Sequence, residues 1–320
     1  SNGYTSRVDN FGEVENKGID LNINSIILEK EDFSWDINAN IGINKNKLIK
    51  LNSNLDFQLG PSIGFSQAYP ILFMVGQPLG IYWGAQTDGI YANWDEAISS
   101  GIAGAAPGEI KYVNNYVDLD ASGQPLAIQE INFDDYVKIG DPNPDFTYSI
   151  SNNFSYKNWD ASFLFTGQMG GDLFWVDSWQ LSGLQKSTNV LTSSFQNSWI
   201  APITYENGNF LYDPSVGNLN NASHPGAMID PGKRAISSDR NIYDGSFLRL
   251  KNINIGYNFN FSQNRNMRLY ISGQNLIVWT DYPGYDPEVR TYTKNPQKRG
   301  VDFGTYPGTK SLLLGLKFNY

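Results

Sequence analysis

From Phe33 onward every second residue is apolar: Phe33, Trp35, Ile37, Ala39, Ile41 and Ile43 alternate with Ser34, Asp36, Asn38, Asn40, Gly42 and Asn44. A period of two places the two sets on opposite faces of a β-strand. The run exceeds the about five or six residues of an ordinary strand. It matches the ~9–11 residues of a strand that crosses a bilayer at a tilt.

The same alternation recurs. Ile19, Leu21 and Ile23 form one such face, Phe146, Tyr148 and Ile150 another, and Trp159, Ala161, Phe163 and Phe165 a third. Ile253, Ile255, Tyr257 and Phe259 are followed by Met267, Leu269 and Ile271, and the chain closes on Leu314, Leu316 and Phe318. The pattern predicts seven strands, at about 17–28, 33–47, 145–156, 159–170, 246–260, 266–279 and 308–320.

Three connections are short, at Glu29 to Asp32, Lys157-Asn158 and Ser262 to Asn266, whereas 171–245 and 280–307 are long. Short turns at one end and long loops at the other are the habit of outer-membrane barrels. If the short turns are periplasmic, the stretch 48–144 must hold zero strands or an even number. Two are expected, one of them within Leu79 to Asn93, for about nine strands in all. A short helix is expected only within Asp177 to Trp199, packed through Trp179, Leu184 and Phe195.

Composition sharpens the choice of solvent. The polar sides carry Asn, Ser, Thr, Asp and Gly, where a strand facing bulk water would carry Lys and Glu. Such a side suits an enclosed aqueous lumen. Trp35, Tyr156, Trp159, Tyr257, Trp279 and Tyr320 fall near strand ends, where a bilayer gathers aromatic girdles. No apolar run approaches the ~18–20 residues of a membrane helix, which leaves a barrel untouched. The alternative reading of the alternation is a secreted β-sandwich, a glycan-binding module or adhesin, with its apolar faces packed together.

The formal charge of −9, with 23 Lys and Arg scattered along the chain, argues against a nucleic-acid partner. There is no cysteine, hence no disulfide, thiolate metal site or cysteine nucleophile. Arg249 and Lys251 share parity with Ile253 and Tyr257. A cation on the lipid face costs roughly 2–4 kcal/mol at the bilayer midplane, so both are expected above the membrane, the alternative being a break in parity near Asn252.

Several segments carry a family signature. Gly12-Glu13-Val14-Glu15-Asn16-Lys17-Gly18-Ile19-Asp20 resembles a stretch of the SusC/RagA-type TonB-dependent transporters of Bacteroidetes. Val75-Gly76-Gln77-Pro78-Leu79-Gly80, Thr87-Asp88-Gly89-Ile90 and Gly140-Asp141-Pro142-Asn143-Pro144-Asp145-Phe146 follow in family order. So do Phe247-Leu248-Arg249-Leu250-Lys251-Asn252, Gly284-Tyr285-Asp286-Pro287-Glu288 and the closing strand. The resemblance implies an all-β transmembrane antiparallel barrel of 22 strands, with residues 1–320 as the C-terminal part of one barrel domain. It implies an integral protein of the bacterial outer membrane that imports oligosaccharides or peptides and is not an enzyme. The partners it implies are a SusD-like surface lipoprotein as lid, TonB acting through an N-terminal plug, and the remaining barrel polypeptide.

Candidate chemistry is sparse. Trp175, Trp179, Tyr282 and Tyr285 are loop aromatics that could stack on a substrate. Asp118, Asp120 and Ser122 before Gly123 resemble the start of a calcium loop, but position twelve is Gln129 and Glu130 comes one residue late. No cofactor is expected unless that loop holds calcium. His224 is the only histidine, so neither a His-pair metal site nor a catalytic triad with a spare base is available. Asp134-Asp135 and Asp281 could be offered as glycosidase carboxylates, but nothing in the sequence places them together.

Overall fold

The computed structural model describes residues 12–52, 55–63, 69–182, 189–200, 203–212, 222–226, 236–262, 265–289, 291–292 and 295–319. Seven long strands form one antiparallel sheet. They are β1 (Gly12–Lys30), β2 (Phe33–Leu51), β3 (Pro144–Tyr156), β4 (Trp159–Gly170), β5 (Phe247–Ser262), β6 (Arg265–Trp279) and β7 (Ser311–Asn319). Their order in the sheet is their order in the chain, so the sheet is a simple up-and-down meander. All seven strands expected from the alternation are present. Among the described residues, the outer edges of β1 and β7 carry no partner strand.

Register carries each apolar set onto its neighbour. Trp35 stands opposite Phe154, Phe154 opposite Ala161, Ala161 opposite Ile255, Ile255 opposite Ile271 and Ile271 opposite Leu314. That row is therefore apolar from edge to edge, and no described residue covers its face. Ile19, Leu21, Ile23, Leu312, Leu314 and Leu316 are all exposed. The Phe33–Ile43 row has no second sheet beneath it among the described residues, which removes the sandwich alternative. An uncovered apolar surface of this extent needs a non-aqueous neighbour. No helix among the described residues is long and apolar enough to cross a membrane.

The opposite face is a lattice of cross-strand polar pairs. Asn22 bonds Asn40 at 2.8 Å, Asp36 bonds Asn153 at 2.9 Å and Ser34 bonds Ser155 at 2.6 Å. Arg268 of β6 reaches across β5 to bond both carboxylate oxygens of Asp160 on β4. It can do so because Gly256 lies between them, and a Cβ there would sit 2.5 Å from the guanidinium. Pairs of this kind stabilise a sheet by roughly 0.2–1 kcal/mol each while leaving the face wettable.

The short turns cluster at one end and the three long connections at the other. Lys157 takes φ 52° in the turn between β3 and β4. Among the described residues the stretch between β2 and β3 adds no strand to the sheet, which has seven strands where about nine were expected. The strands of that stretch are three or four residues long. Phe57–Leu59, Ile71–Met74, Ile81–Gly84 and Val137–Gly140 form a separate four-stranded sheet, and Thr87–Ile90 pairs with Ile110–Tyr112. Leu79 to Asn93 thus holds two short loop strands and no wall strand. Trp94–Ser99 is a helix that the pattern did not predict, capped by the Asn93 side chain on the Glu96 N–H.

The three loops share one hydrophobic core. Leu48 and Leu51 from the end of β2 pack with Ile71, Phe73, Tyr82, Phe174, Val176 and Val301. Between Asp177 and Trp199 there are two short helices, Ser178–Leu181 and Thr192–Gln196. Trp179 packs as expected, Phe195 is exposed instead, and Leu184 lies outside the described residues, as does Tyr320.

Candidate functional site

The loop core decides where the predicted site residues go. Trp175 and Tyr282 are buried with Tyr243 in an edge-to-face cluster, with centroids 5.5–6.1 Å apart. The Tyr282 hydroxyl donates to Asp302, and burial together with that carboxylate pushes its pKa above the tyrosine range. Trp179 is buried against Phe174 and donates from Nε1 to the Ile236 carbonyl at 3.4 Å. These three side chains hold the loop layer together. Tyr285, at 78% exposure, is the member of the four that offers a free ring to a ligand.

The acidic loop is a hydrogen-bonded turn. Asp120 Oδ1 accepts the N–H groups of Ser122 and Gln124 at 2.8 and 2.9 Å. Asp118 accepts from the Glu130 N–H and from the Asn132 side chain. Gln129, at the position where a calcium loop has its bidentate Glu, accepts the Asp118 N–H at 2.6 Å. No group of three or more His, Cys, Asp or Glu that could hold a metal occurs among the described residues. With the carboxylates already engaged, millimolar calcium is expected to leave the thermal midpoint of the intact receptor unchanged. A rise of several degrees would show that an ion binds.

Asp135 is likewise structural: fully buried, it accepts the N–H groups of Asn115, Tyr116 and Asn132. His224 is half-buried beside Ser223, and burial plus the nearby Arg240 lower its pKa.

Arg249 and Lys251 are resolved by a bulge. Pairing of β5 with β6 shifts register between Leu250 and Asn252, and pairing with β4 shifts between Leu164 and Phe165. The extra residue flips the parity, so Arg249 stands opposite Thr166 on the polar side while Leu250 joins the apolar row. The break in parity turns the cation to the polar side, and Arg249 is also the third residue from the loop end of β5. Arg249 is 2% exposed, with Nη2 2.5 Å from Asp286 and Nε 2.9 Å from Glu288. Asp286 also accepts the N–H groups of Glu288 and Gly308. Two of the family-like segments therefore meet as a buried ion pair that ties loop 280–310 to the wall.

A second meeting of segments forms a cavity of about 530 Å³ on the polar side, where β1 and β2 run into the loops. Asn16, Asn44 and Asn46 enter it from the wall, and Leu79 and Asn143 from the second and fourth family-like segments. Tyr292 and 295–301 close it from above. Asn46 and Asn143 lock the floor: Asn46 donates to Asn143 Oδ1 at 2.8 Å and accepts the Leu79 N–H at 2.6 Å. Lys298 Nζ lies 4.4 Å from the Tyr292 ring centroid. The buried Tyr82 hydroxyl donates to the Arg299 carbonyl at 2.9 Å, which fixes the backbone where the guanidinium begins. Sequence reasoning missed this site because its residues span Val14 to Val301 with no spacing to join them. Only the even parity of Asn16, Asn44 and Asn46 was readable, and it put them on the lumen side.

No family model matches the chain. Over 330 residues it is 33% identical to the TonB-dependent receptor P3 of Formosa agariphila, covering 99% of this chain and 30% of that receptor. Over 335 residues it is 25% identical to the TonB-dependent receptor SusC of Bacteroides thetaiotaomicron, covering all of this chain and 28% of SusC. The chain thus spans about 30% of the length of these relatives. Its fold matches a chain in the structure of the RagAB peptide transporter with a TM-score of 0.72, at 19% identity, over 99% of this chain and 31% of that one.

Proposed function

Since the chain belongs with the SusC/RagA-type TonB-dependent receptors as a segment of one, we propose that it forms the C-terminal part of the barrel wall of an outer-membrane importer for large nutrients. The observation that carries this reading is the sheet itself. One face carries an apolar row in each of the seven strands and is uncovered among the described residues, while the other is lined by amides and hydroxyls. Such a sheet is stable only with hydrocarbon on one side and water on the other. The free edges of β1 and β7 would each leave backbone groups unpaired in lipid, so they pair with the remaining strands of the same barrel.

In this role the chain moves cargo past its lumen face and makes or breaks no bond. Import is driven by TonB acting on a plug polypeptide. A lipoprotein of the SusD type covers the long loops, where Tyr285 is exposed to it and to cargo. Oligosaccharides or peptides are the cargo classes. The similarity to SusC, together with the description of RagAB as a peptide transporter, supports these assignments.

The test is made on the intact receptor in its own host. It is expected to stay in the outer membrane through salt washing and to leave only with detergent. Its deletion is expected to abolish growth on one polymeric nutrient while leaving growth on the monomer intact. Release by salt, or unchanged growth of the deletion strain on every polymer, would contradict the proposal.

A further inference from the structure

We propose that the cavity between the wall and Tyr292 with residues 295–301 is a subsite for an acidic sugar unit of the cargo, one bearing a carboxylate or sulfate. The inference rests on the importer reading above and adds the chemistry of one binding position to it.

Exposed amides and two cations converge on this cavity on the lumen side. Asn16, Asn44 and Gln297 line it, and their side chains bond no other described residue. Each offers a donor and an acceptor side by side, the pattern that matches neighbouring hydroxyls of a sugar ring. Lys298 and Arg299 line it as well, and neither pairs with a carboxylate among the described residues. No acidic side chain lines the cavity. Asp141, which accepts from the lining residue Asn143, sits 3.1 Å from Lys138.

That arrangement is unusual in this chain, whose formal charge is −9. Screening over about 8 Å at physiological ionic strength makes the local sign, not the net charge, decide what approaches. Arg299 Nη1 lies 3.5 Å from Asn143 Oδ1 and Lys298 Nζ sits over the Tyr292 ring, so both cations are held at the cavity by neutral groups. Two cations without a carboxylate partner among the described residues select an anion. The volume of about 530 Å³ falls within the ~300–1,000 Å³ typical of ligand pockets. A peptide could offer carboxylates at its C-terminus and on Asp or Glu, but it brings no run of neighbouring ring hydroxyls for the exposed amides.

The experiment uses the intact detergent-solubilised receptor and three probes: a galacturonate trimer, the neutral galactose trimer and triglycine. The galacturonate trimer is expected to bind at least ten-fold more tightly than the galactose trimer, with the advantage shrinking as salt rises. Lys298→Gln combined with Arg299→Gln is expected to remove that advantage. The thermal midpoint should be unchanged, because Tyr82 is held by the Arg299 carbonyl and not by its side chain. Asn16→Ala is expected to weaken both sugars alike.

Equal binding of charged and neutral trimers, no binding of the galacturonate trimer, or an advantage that survives the double substitution would overturn the subsite. Cation-dependent binding of triglycine without sugar binding would overturn it in favour of a peptide terminus. The growth test above is unaffected by any of these outcomes, so loss of the subsite and loss of the importer reading are separately visible.

Discussion

Ile37→Lys is expected to block assembly of the barrel, whereas Asn38→Lys, one residue along, is expected to be tolerated. Ile37 stands in the apolar row of β2 between Ser25 of β1 and Asn152 of β3, two residues further along the strand than Trp35. With ~9–11 residues per span, a position four residues from the start of the strand is near mid-bilayer. A lysine there costs roughly 2–4 kcal/mol on a lipid-facing strand. Asn38 points the other way, is exposed and lies a marginal 3.5 Å from Asp36. A lysine at 38 would enter water beside a carboxylate. Heat-modifiable mobility on gels and recovery in the outer-membrane fraction read the outcome. Equal recovery of the two variants would refute the assignment of faces.

Arg249→Ala is expected to unfasten loop 280–310 while leaving the wall intact. Removing one partner of a buried ion pair leaves an uncompensated charge and costs about 3–5 kcal/mol. Here the stranded group would be Asp286, 5% exposed and already turned toward the wall. Its remaining bonds, to the N–H groups of Glu288 and Gly308, cannot replace a guanidinium. The loop carries Tyr292 and Arg299, so cargo contact should fall with it. Hydrogen exchange across 280–310 should accelerate by a hundred-fold or more, with β5 and β6 unchanged. Adding Asp286→Asn should recover part of the loss, because the stranded partner would then be neutral. Unchanged exchange in the single variant would show that the pair does not hold the loop.

The wall was legible because a period of two survives any loop insertion between strands. Phe33 to Ile43 and Leu314 to Phe318 announce their faces without help from distant residues. The loop layer was not, because its strands are at most four residues long, and two of them, Ile71–Met74 and Ile81–Gly84, are largely buried and do not alternate. Ile71 to Phe73 and Ile81-Tyr82 are short apolar runs, which periodicity cannot assign to wall or loop.

The bulge at Lys251 was half legible: a cation at a lipid parity demands a remedy, but the sequence cannot say whether height or a register shift supplies it. Loop aromatics misled for a related reason. Trp175, Trp179 and Tyr282 have the composition of a binding surface, yet a loop layer this large needs a core of its own and uses them for it. The amides of the cavity were read individually as lumen-facing. Their meeting with Lys298 and Arg299 depends on the closure of a loop some 250 residues away, which no local pattern encodes.

The most direct test of which face meets lipid uses the absence of cysteine from the chain. Single spin-labelled cysteines placed in the intact receptor at Ile37, Ile255 and Leu314, and at Asn38, Ser151 and Asn254, can be read in lipid bilayers. The first set should be relaxed by dissolved oxygen and hidden from a water-soluble nickel chelate, and the second set the reverse. Nickel access at Ile37, Ile255 and Leu314, or shielding of both sets from both reagents, would contradict a sheet with hydrocarbon on one side and an aqueous lumen on the other.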